Sequence, residues 1–310
     1  MRPVVVVGSL NLDRSFRLAE AAAAGRTQTA IGYAEGVGGK GVNQAMAAAR
    51  LGAEVRMMGC VGRDSAGEVL RRALGEAGVG VEAVGTCVEP TGTATILVGP
   101  DGENTIVLVP GANHVFGAED VERQRGLLVG ASIVLVQLET RMEVLAKVVE
   151  IAGSAEVPVM LDPAPAAKIS AEVLRGLAWF TPNETEAEFY LRDTGWVGSA
   201  PGMEEQCRYF QGLGPRNVLL KLGGAGAAML TEDGRFVRVA APQVAVVNTT
   251  GAGDTLNGAL AAELALGCGA EAALRFAVAA ASLSTTRDGA AESQPTRSEV
   301  ESFAVRANDL

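Results

Sequence analysis

The chain has 310 residues, of which 48% are hydrophobic and 20% are charged, so it is long and apolar enough to form a large folded core. Its formal net charge of −10 excludes nucleic acid and anionic membrane surfaces as main partners, since both bind basic faces. The four cysteines lack the spacing of a metal site or a disulfide framework, and no apolar run approaches the roughly 18 residues of a membrane span. We therefore expect a cytoplasmic protein that binds any anionic ligand through local features.

Strands and helices are predicted to alternate along most of the chain. The predicted strands are short β-branched runs: VVVVG, EVRMMGCVG, SIVLVQLE, VPVMLDP, LAWFTPN and NVLLKLGG. The predicted helices are amphipathic stretches at 41–51, 65–77, 141–151, 184–191 and 253–266. This alternation indicates right-handed βαβ crossovers and hence an α/β fold, a three-layer α/β/α domain around a parallel sheet. Because no repeat and no linker rich in proline or serine interrupts it, residues 1–310 are expected to form a single domain.

Two segments break the alternation, at about 13–38 and 91–110. The first is predicted to be mostly extended, and in the second ATILV and TIVLV flank the turn GPDGEN, which is a hairpin signal. Both are expected to belong to a small β-sheet that stands off the main domain. Such a sheet acts as a lid that excludes water, or as an edge that pairs with a second subunit, or it is an ordinary antiparallel edge of the main sheet. Spacing alone leaves these alternatives open.

Polar residues follow the predicted strands where each strand ends. Because the carboxyl ends of parallel strands meet at one edge of a sheet, these residues are expected to face one crevice. They are Asn11, Asp13, Glu139, Asp162, Asn183, Gly223, Gly224 and the turn 251–254. Carboxylates and amides bind hydroxyl groups and hold divalent cations. The set predicts a polyol and a metal-bound phosphate as ligands.

The first glycine-rich stretch is GVGGKGVNQA, residues 36–45. Glycines let the backbone approach a ligand closely, Lys40 supplies a charge, and Asn43 lies in the first turn of the following helix. The stretch is not a P-loop, because Lys40 is followed by glycine rather than Ser or Thr. The first strand also lacks G-x-G-x-x-G, which argues against a dinucleotide-dependent dehydrogenase. Taken alone, such a cluster is more often only a turn before a helix.

TPNETEAE, residues 181–188, stands at the start of another predicted helix. Asn183 is a favoured N-cap, and Glu184 and Glu186 suit the positive end of the helix dipole, so capping by itself accounts for all of them. The alternative is that these side chains serve a Mg²⁺ ion, usually through water.

The second glycine-rich stretch, VVNTTGAGDTLNG, runs from 246 to 258. A helix N-terminus that follows glycines binds anions through unpaired N–H groups and the helix dipole, so Gly251, Ala252 and Gly253 are predicted to form an anion hole. Asp254 at its edge is predicted to be the base that takes a proton from an alcohol as a phosphoryl group is transferred. In the simpler interpretation Asp254 only complements the helix dipole, which stabilises the helix by about a few tenths of a kcal/mol. Two such turns beside a polar crevice favour the functional interpretation.

These motifs together resemble the ribokinase-like (PfkB) family of sugar kinases. The resemblance runs nearly end to end, through VVVGSLNLD, GGKGVNQAMAAARLGA, TGTATILVGPDGENTI, PGAN, LVQLE, LDPAPA, TPNETEAE, KLGGAG, NTTGAGDTLNGAL and TTRDGAAESQP. It implies a parallel-sheet domain with a small β-sheet lid, homodimers that pair through the lids, and the use of ATP and Mg²⁺. The implied reaction is ATP-dependent phosphorylation of a free sugar, D-ribose to D-ribose 5-phosphate.

The resemblance also implies roles for individual residues. Asp254 is the base and 251–253 the anion hole. The residues that would hold the sugar are Asn11, Asp13, Gly39, Lys40, Asn43 and Glu139. Those expected on the nucleotide and Mg²⁺ side are Asn183, Glu186, Lys221, Gly223 and Gly226, with Glu186 acting on Mg²⁺ through water.

A monovalent-cation loop is implied as well, formed by Asn248, Thr250, Thr285, Asp288 and Ser293. Most family members carry Asp where this chain has Asn248. Because a neutral amide is a weaker cation ligand than a carboxylate, we expect activation by K⁺ to be weakened or lost.

Other functions remain as alternatives. The same motifs suit a kinase for deoxyribose, fructose or a nucleoside. A sugar-binding regulator without turnover would also retain the fold, although a binder has no use for a base beside the phosphate.

Overall fold

The computed structural model describes residues 2–101, 104–198 and 201–308, with side chains up to residue 305. Its strands, in chain order, are β1 (Val4–Val7), β2 (Asn11–Arg17), β3 (Gly32–Gly38), β4 (Val55–Gly62), β5 (Val79–Cys87), β6 (Gly92–Val98), β7 (Asn104–Val109), β8 (Ile133–Gln137), β9 (Val159–Asp162), β10 (Trp179–Phe180), β11 (Asn217–Lys221), β12 (Ala227–Leu230) and β13 (Phe236–Val239). Its α-helices are α1 (Lys40–Arg50), α2 (Ser65–Glu76), α3 (Ala118–Arg123), α4 (Arg125–Val129), α5 (Met142–Ser154), α6 (Ala171–Arg175), α7 (Glu184–Asp193), α8 (Met203–Gly212), α9 (Ala252–Ala265), α10 (Ala270–Ser284) and α11 (Arg297–Asn308). Short 3₁₀ turns lie at Gly111–His114 and Gly223–Ala225.

The large sheet has the strand order β13-β12-β11-β10-β9-β8-β1-β4-β5. From β11 to β5 every neighbouring pair is parallel, and Val4 of β1 lies between Val55 of β4 and Ile133 of β8. The last two strands, β12 and β13, add to β11 in antiparallel fashion and were not predicted from the sequence. The chain leaves β1 toward β4 on one side and returns to β8 on the other. A ligand crevice is therefore expected at the carboxyl end of β1, where the strand order reverses.

Helices cover both faces of the large sheet, and β1 shows why. Its four valines are fully buried, and because side chains alternate across a strand, Val4 and Val6 enter one core while Val5 and Val7 enter the other. The first core contains α1, α9 and α10, and the second contains α5, α7 and α8. The predicted three-layer α/β/α fold is confirmed. No helix in the described ranges is both long and apolar enough to cross a bilayer.

A second, smaller sheet has the strand order β3-β2-β6-β7. Strand β2 pairs antiparallel with β3 and parallel with β6, and β6 pairs antiparallel with β7. These strands come from the two segments that interrupt the predicted alternation. Within the predicted hairpin turn GPDGEN, residues 102 and 103 lie outside the described residues. Only three residues separate the end of β1 from β2, the first strand of the small sheet, so this sheet stands beside the predicted crevice.

The five predicted helices occur within three residues of their expected ends, but six helices and one parallel strand were not predicted: α3, α4, α6, α8, α10, α11 and β5. Helix α10 is rich in alanine and packs between α9 and α11. The four cysteines are unpaired, and Cys60 and Cys207 are buried as expected of small apolar side chains.

Candidate active site

The loop between β3 and α1 presses against the end of β1 because it consists largely of glycine. Gly39 has a φ of 88°, and a Cβ atom built on it would lie 2.9 Å from the carbonyl oxygen of Ser9. A Cβ on Gly41 would lie 2.7 Å from that same oxygen. Only glycine fits both positions. This contact places the first turn of α1, with Lys40 and Asn43, at the carboxyl edge of the sheet.

Asp13 lies on β2 opposite Gly36 and is packed against β3, since a Cβ on Gly38 would be only 2.1 Å from Asp13 Oδ2. Burial, with a further contribution from the carboxylates of Glu139, Glu292 and Asp254, raises the pKa of Asp13 to about 7. Its Oδ1 atom is buried without a hydrogen-bond partner among the described residues. An oriented acceptor that lacks a donor is suited to a ligand hydroxyl group.

Asn11, at the start of β2, is oriented by a residue of the 3₁₀ turn at 111–114. Asn113 donates its side-chain amide to Asn11 Oδ1 at 2.8 Å and to the Leu10 carbonyl at 3.1 Å, and accepts from the Leu10 N–H at 2.9 Å. The PGAN motif was quoted for its resemblance, but no role was predicted for Asn113. Its contacts fix the direction of the Asn11 amide.

Glu139 follows β8 and faces the first turn of α1. Its Oε2 atom accepts the Ser9 hydroxyl and, at 3.1 Å, the backbone N–H of Lys40. Although burial disfavours the charged ammonium, the carboxylates of Asp254, Asp162, Glu139 and Glu186 outweigh it and hold the pKa of Lys40 above its usual value. Lys40 is therefore a fixed positive charge among carboxylates.

Asp254 lies in the first turn of α9 and is 6% exposed. Its two oxygens accept from two side chains of α1: Asn43 Nδ2 donates to Oδ2 at 3.0 Å, and Gln44 Nε2 donates to Oδ1 at 3.0 Å. The two helices can approach this closely because a Cβ on Gly258 would lie 2.7 Å from the Gln44 carbonyl oxygen. Asp254 is held from the side by another helix, a contact that a carboxylate serving only the helix dipole would not need.

The N-terminus of α9 faces Lys221. Gly251 caps the helix with a φ of 77°, and the first N–H groups of any helix lack partners within it. Lys221 Nζ lies 3.7 Å from the position of a Cβ atom on Gly253. A helix N-terminus and a buried ammonium thus converge beside Asp254, and both favour an anion there.

Lys221 ends β11 and lies between two buried carboxylates. Its Nζ is 2.6 Å from Asp162 Oδ1 and 3.8 Å from Glu186 Oε2. Asn183 is the N-cap, as predicted, and Glu186 completes a capping box with it: the Glu186 side chain accepts from the backbone and side-chain nitrogens of Asn183, whose Oδ1 accepts from the Glu186 N–H. Burial raises the pKa of Glu186, while Lys221 opposes the shift.

The turn after β11 depends on glycine. Gly223 has a φ of 50° and Gly226 a φ of 93°, and a Cβ on Gly226 would be 2.0 Å from the Val239 carbonyl oxygen. Gly223 and Gly224 are exposed and leave the backbone open beside Lys221.

Comparison with known proteins shows the family to which the chain belongs. A family model described as pfkB family carbohydrate kinase matches residues 1–297. The chain belongs to this family. It is 35% identical to the ribokinase of Haemophilus influenzae over 308 residues, covering 99% of each chain, and 32% identical to a deoxyribokinase of Salmonella typhi over 298 residues, covering 94% of this chain and 95% of that one. The structure of Arabidopsis thaliana ribokinase complexed with ribose and ATP superimposes with a TM-score of 0.90 at 34% identity and covers 98% of both chains.

In this PfkB-family chain the predicted cation loop is closed by its own hydrogen bonds. Asn248 Nδ2 donates to Asp288 Oδ1 at 2.9 Å, and Asn248 Oδ1 accepts the Thr250 N–H at 2.9 Å. The Asn248 hydrogen bond lowers the pKa of Asp288. The Thr285 carbonyl accepts the Asn248 N–H at 3.1 Å, and the Ser293 hydroxyl donates to the Ala290 carbonyl. An amide N–H of Asn248 faces the carboxylate that a cation would otherwise neutralise.

No group of three or more His, Cys, Asp or Glu side chains in the described ranges is arranged to hold a metal ion. Mg²⁺ in nucleotide sites commonly uses one or two carboxylates together with phosphates and water. Glu186, whose Oε2 lies 3.8 Å from Lys221 Nζ, is a carboxylate whose chemistry fits such a water-mediated contact.

Proposed function

We propose that this PfkB-family carbohydrate kinase transfers the γ-phosphoryl group of ATP to the 5-hydroxyl of D-ribose and forms D-ribose 5-phosphate. The observation that carries the proposal is the position of Asp254, a buried carboxylate held by two amides at a helix N-terminus that faces Lys221. Near-full-length similarity to ribokinases, including one solved with ribose and ATP, supports ribose as the acceptor.

The sugar would lie between β2 and the first turn of α1. The groups that would bind its hydroxyls are the two β2 side chains, the N-terminus of α1 and the carboxylate after β8: Asn11, Asp13, Gly39, Lys40, Asn43 and Glu139. Carboxylate acceptors that alternate with amide and ammonium donors match a polyol, in which every hydroxyl both donates and accepts.

The reaction needs a base on one side of the phosphorus and positive charge on the other. Asp254 accepts the proton of the sugar hydroxyl as that oxygen attacks the γ-phosphorus, and the bond to the β-phosphate oxygen breaks to release ADP. The N–H groups at 251–253 and the Lys221 ammonium stabilise the charge on the transferred group. Glu186 would hold a nucleotide-bound Mg²⁺ through water, and the ion would supply charge neutralisation there. Asn183, Gly223 and Gly226 would shape the nucleotide side.

The small sheet is proposed to serve both as a lid over the sugar and as a dimer interface. Its outer strand β7 exposes Ile106, Val107, Leu108 and Val109, each 48–56% accessible, and its edge is unpaired in the monomer. We expect the chain to sediment as a dimer and Val107→Glu to sediment as a monomer. Val197→Glu, at an exposed valine far from the small sheet in sequence, is the control and is expected to remain dimeric. A monomeric wild type would contradict the interface.

Activation by K⁺ is expected to be weak, because Asn248 already donates to Asp288. We expect turnover in K⁺ and in a bulky organic cation to differ by less than about threefold, because the Asn248 side-chain amide already stabilises the Asp288 carboxylate by a hydrogen bond. Asn248→Asp puts a second carboxylate beside Asp288, and like charges at this distance need a cation between them. The variant is therefore expected to gain K⁺ dependence. Strong K⁺ dependence of the wild type, measured by ADP release, would contradict this prediction.

The acceptor is tested by coupled ADP release with ATP and Mg²⁺ against ribose, 2-deoxyribose, fructose, adenosine, cytidine and pseudouridine. Highest kcat/KM on ribose supports the proposal. Preference for deoxyribose is the favoured alternative outcome, since a deoxyribokinase is among the relatives. Sugar binding without turnover on any acceptor would instead indicate a regulator. Because ATP is the donor, we place the enzyme in the cytoplasm. The net charge of −10 argues against a nucleic-acid or membrane partner.

A further inference from the structure

A chain of buried amides lies behind the base. Gln44 and Gln137 are both 0% exposed, and Gln137 Nε2 donates to Gln44 Oε1 at 2.7 Å. Gln44 Nε2 in turn donates to Asp254 Oδ1 at 3.0 Å and to Asp162 Oδ2 at 2.8 Å. The two protons of a single amide nitrogen therefore go to two different carboxylates, and the amide oxygen accepts from Gln137.

Gln137 and the two carboxylates together fix which way the Gln44 amide faces. If that amide were turned over, its oxygen would face the two carboxylates and its nitrogen would face the Gln137 donor, so three contacts would become repulsive. Gln137 fits behind β1 only because residue 8 is glycine: a Cβ on Gly8 would lie 1.9 Å from Gln137 Oε1. The end of β1 and the end of β8 thus create the space in which the orientation of Gln44 is fixed.

Gln44 connects the two halves of the crevice. On one side it holds Asp254, and on the other it holds Asp162, whose second oxygen pairs with Lys221 at 2.6 Å. Asn43, the other donor to Asp254, lies beside the proposed sugar, whereas Gln44 is fully buried and has no route to it. Any effect of Gln44 on turnover must therefore act through the carboxylates that it contacts.

We propose that Gln44, oriented by Gln137, is a positioning residue that aims the Asp254 carboxylate at the acceptor hydroxyl and ties it to the Asp162–Lys221 pair. This inference rests on the proposed function in that Asp254 is taken as the base. Sugar and nucleotide still bind when the Gln44 contact is lost, but the reacting groups no longer meet in line. A base misplaced by about 1 Å costs on the order of 100-fold in rate.

The test is Gln44→Met, which keeps the length and lacks the amide. With the sugar that the wild type phosphorylates fastest, kcat is expected to fall about 100-fold while KM for sugar and for ATP changes less than about threefold. Gln137→Met touches neither carboxylate and is expected to lower kcat about tenfold by releasing the orientation of Gln44. The Gln137→Met variant keeps the proposal testable if Gln44→Met does not fold.

Two further measurements separate positioning from packing. Gln294→Met removes another buried amide, one that lies in the loop before α11 and donates to the backbone carbonyl of Asn43 at 2.7 Å rather than to a carboxylate, and it is expected to retain kcat. In an Asp254→Asn background, adding Gln44→Met is expected to lower the residual rate far less than it lowers the wild-type rate, because the base is gone and only the Gln44 contact to the Asp162–Lys221 pair is still lost. Equal losses in the Gln44 and Gln294 variants, or additive losses with Asp254→Asn, would overturn the proposal. Wild-type turnover on a sugar other than ribose would refute only the proposed substrate.

Discussion

Asp254→Asn is expected to lower kcat by about 10³-fold to 10⁴-fold while leaving the dissociation constant for the sugar within about threefold of the wild type. The amide is nearly the same size and stays at the helix N-terminus, but it cannot take a proton. One of the two donors from α1 would also face an NH₂ group in place of an oxygen. The measurements are ADP release for kcat and titration calorimetry for the sugar.

Asp64→Asn is the matched control for this experiment. Asp64 is also a carboxylate at a helix start, where it caps α2 by accepting the Gly67 N–H at 2.9 Å, and it takes no part in the proposed site. Asn still caps the helix, but its NH₂ would face one of the two donors of Thr91, whose backbone N–H and hydroxyl lie 2.8 and 2.6 Å from the Asp64 oxygens. Stability is therefore expected to fall, while kcat is expected to stay near wild type. If Asp254→Asn kept more than a tenth of the wild-type kcat, Asp254 would be a helix-end acid and not the base.

Asp13→Asn is expected to weaken sugar binding and at the same time to stabilise the protein at alkaline pH. The folded-state pKa of about 7 lies above the usual 3.8, so the folded protein holds a proton that the unfolded chain has lost. The stability linked to this proton is complete below pH 3.8 and is lost as the pH rises from there to about 7. At higher pH the folded protein carries an unpaired buried charge, which Asn removes.

The measurement is Tm at pH 5 and pH 8 together with sugar calorimetry. We expect Asp13→Asn to raise Tm at both pH values, by more at pH 8, where the wild type carries the full cost of ionising Asp13. Losing a charged acceptor for the sugar is expected to cost about 1.5–3 kcal/mol of binding, which is a factor of about 10 to 150 in affinity. A lower Tm at pH 8, or unchanged sugar affinity, would contradict the proposed role of Asp13.

Local patterns were enough to predict much of the fold. Alternating β-branched runs and amphipathic stretches predicted every parallel strand of the large sheet except β5, and helices α1, α2, α5, α7 and α9, because burial imposes the periods of strands and helices on the sequence. Helix α10 and the antiparallel strands β12 and β13 were missed. Helices α9 and α10 are both rich in alanine, and α9 was predicted because the glycine-rich turn 251–253 marks its start.

For the site, sequence patterns and family resemblance identified the components but not their contacts. The glycine-rich turns, Asp254 and Lys40 were recognisable because glycines before a helix and a charge beside them form a local signal. Asn113, Gln44 and Gln137 received no role, although NQA and PGAN were quoted as motifs. No local sequence pattern separates a buried amide that positions another group from one that only packs. The two roles are distinguished by the hydrogen-bond partners of the amide, which only the folded structure shows.

The sequence by itself determined most of the alternation of elements and the starts of two helices, predicted at 41 and 253 and found at 40 and 252. It also determined the membership of the PfkB family, which nearly end-to-end motifs indicated. Only the tertiary structure decided that Gln44 lies against Asp254, 210 residues away, and that Lys221 lies between Asp162 and Glu186. The reason is physical. Helix starts follow from neighbouring residues, whereas these contacts depend on strand order and on glycines such as Gly8 and Gly258, where absent side chains let distant elements meet.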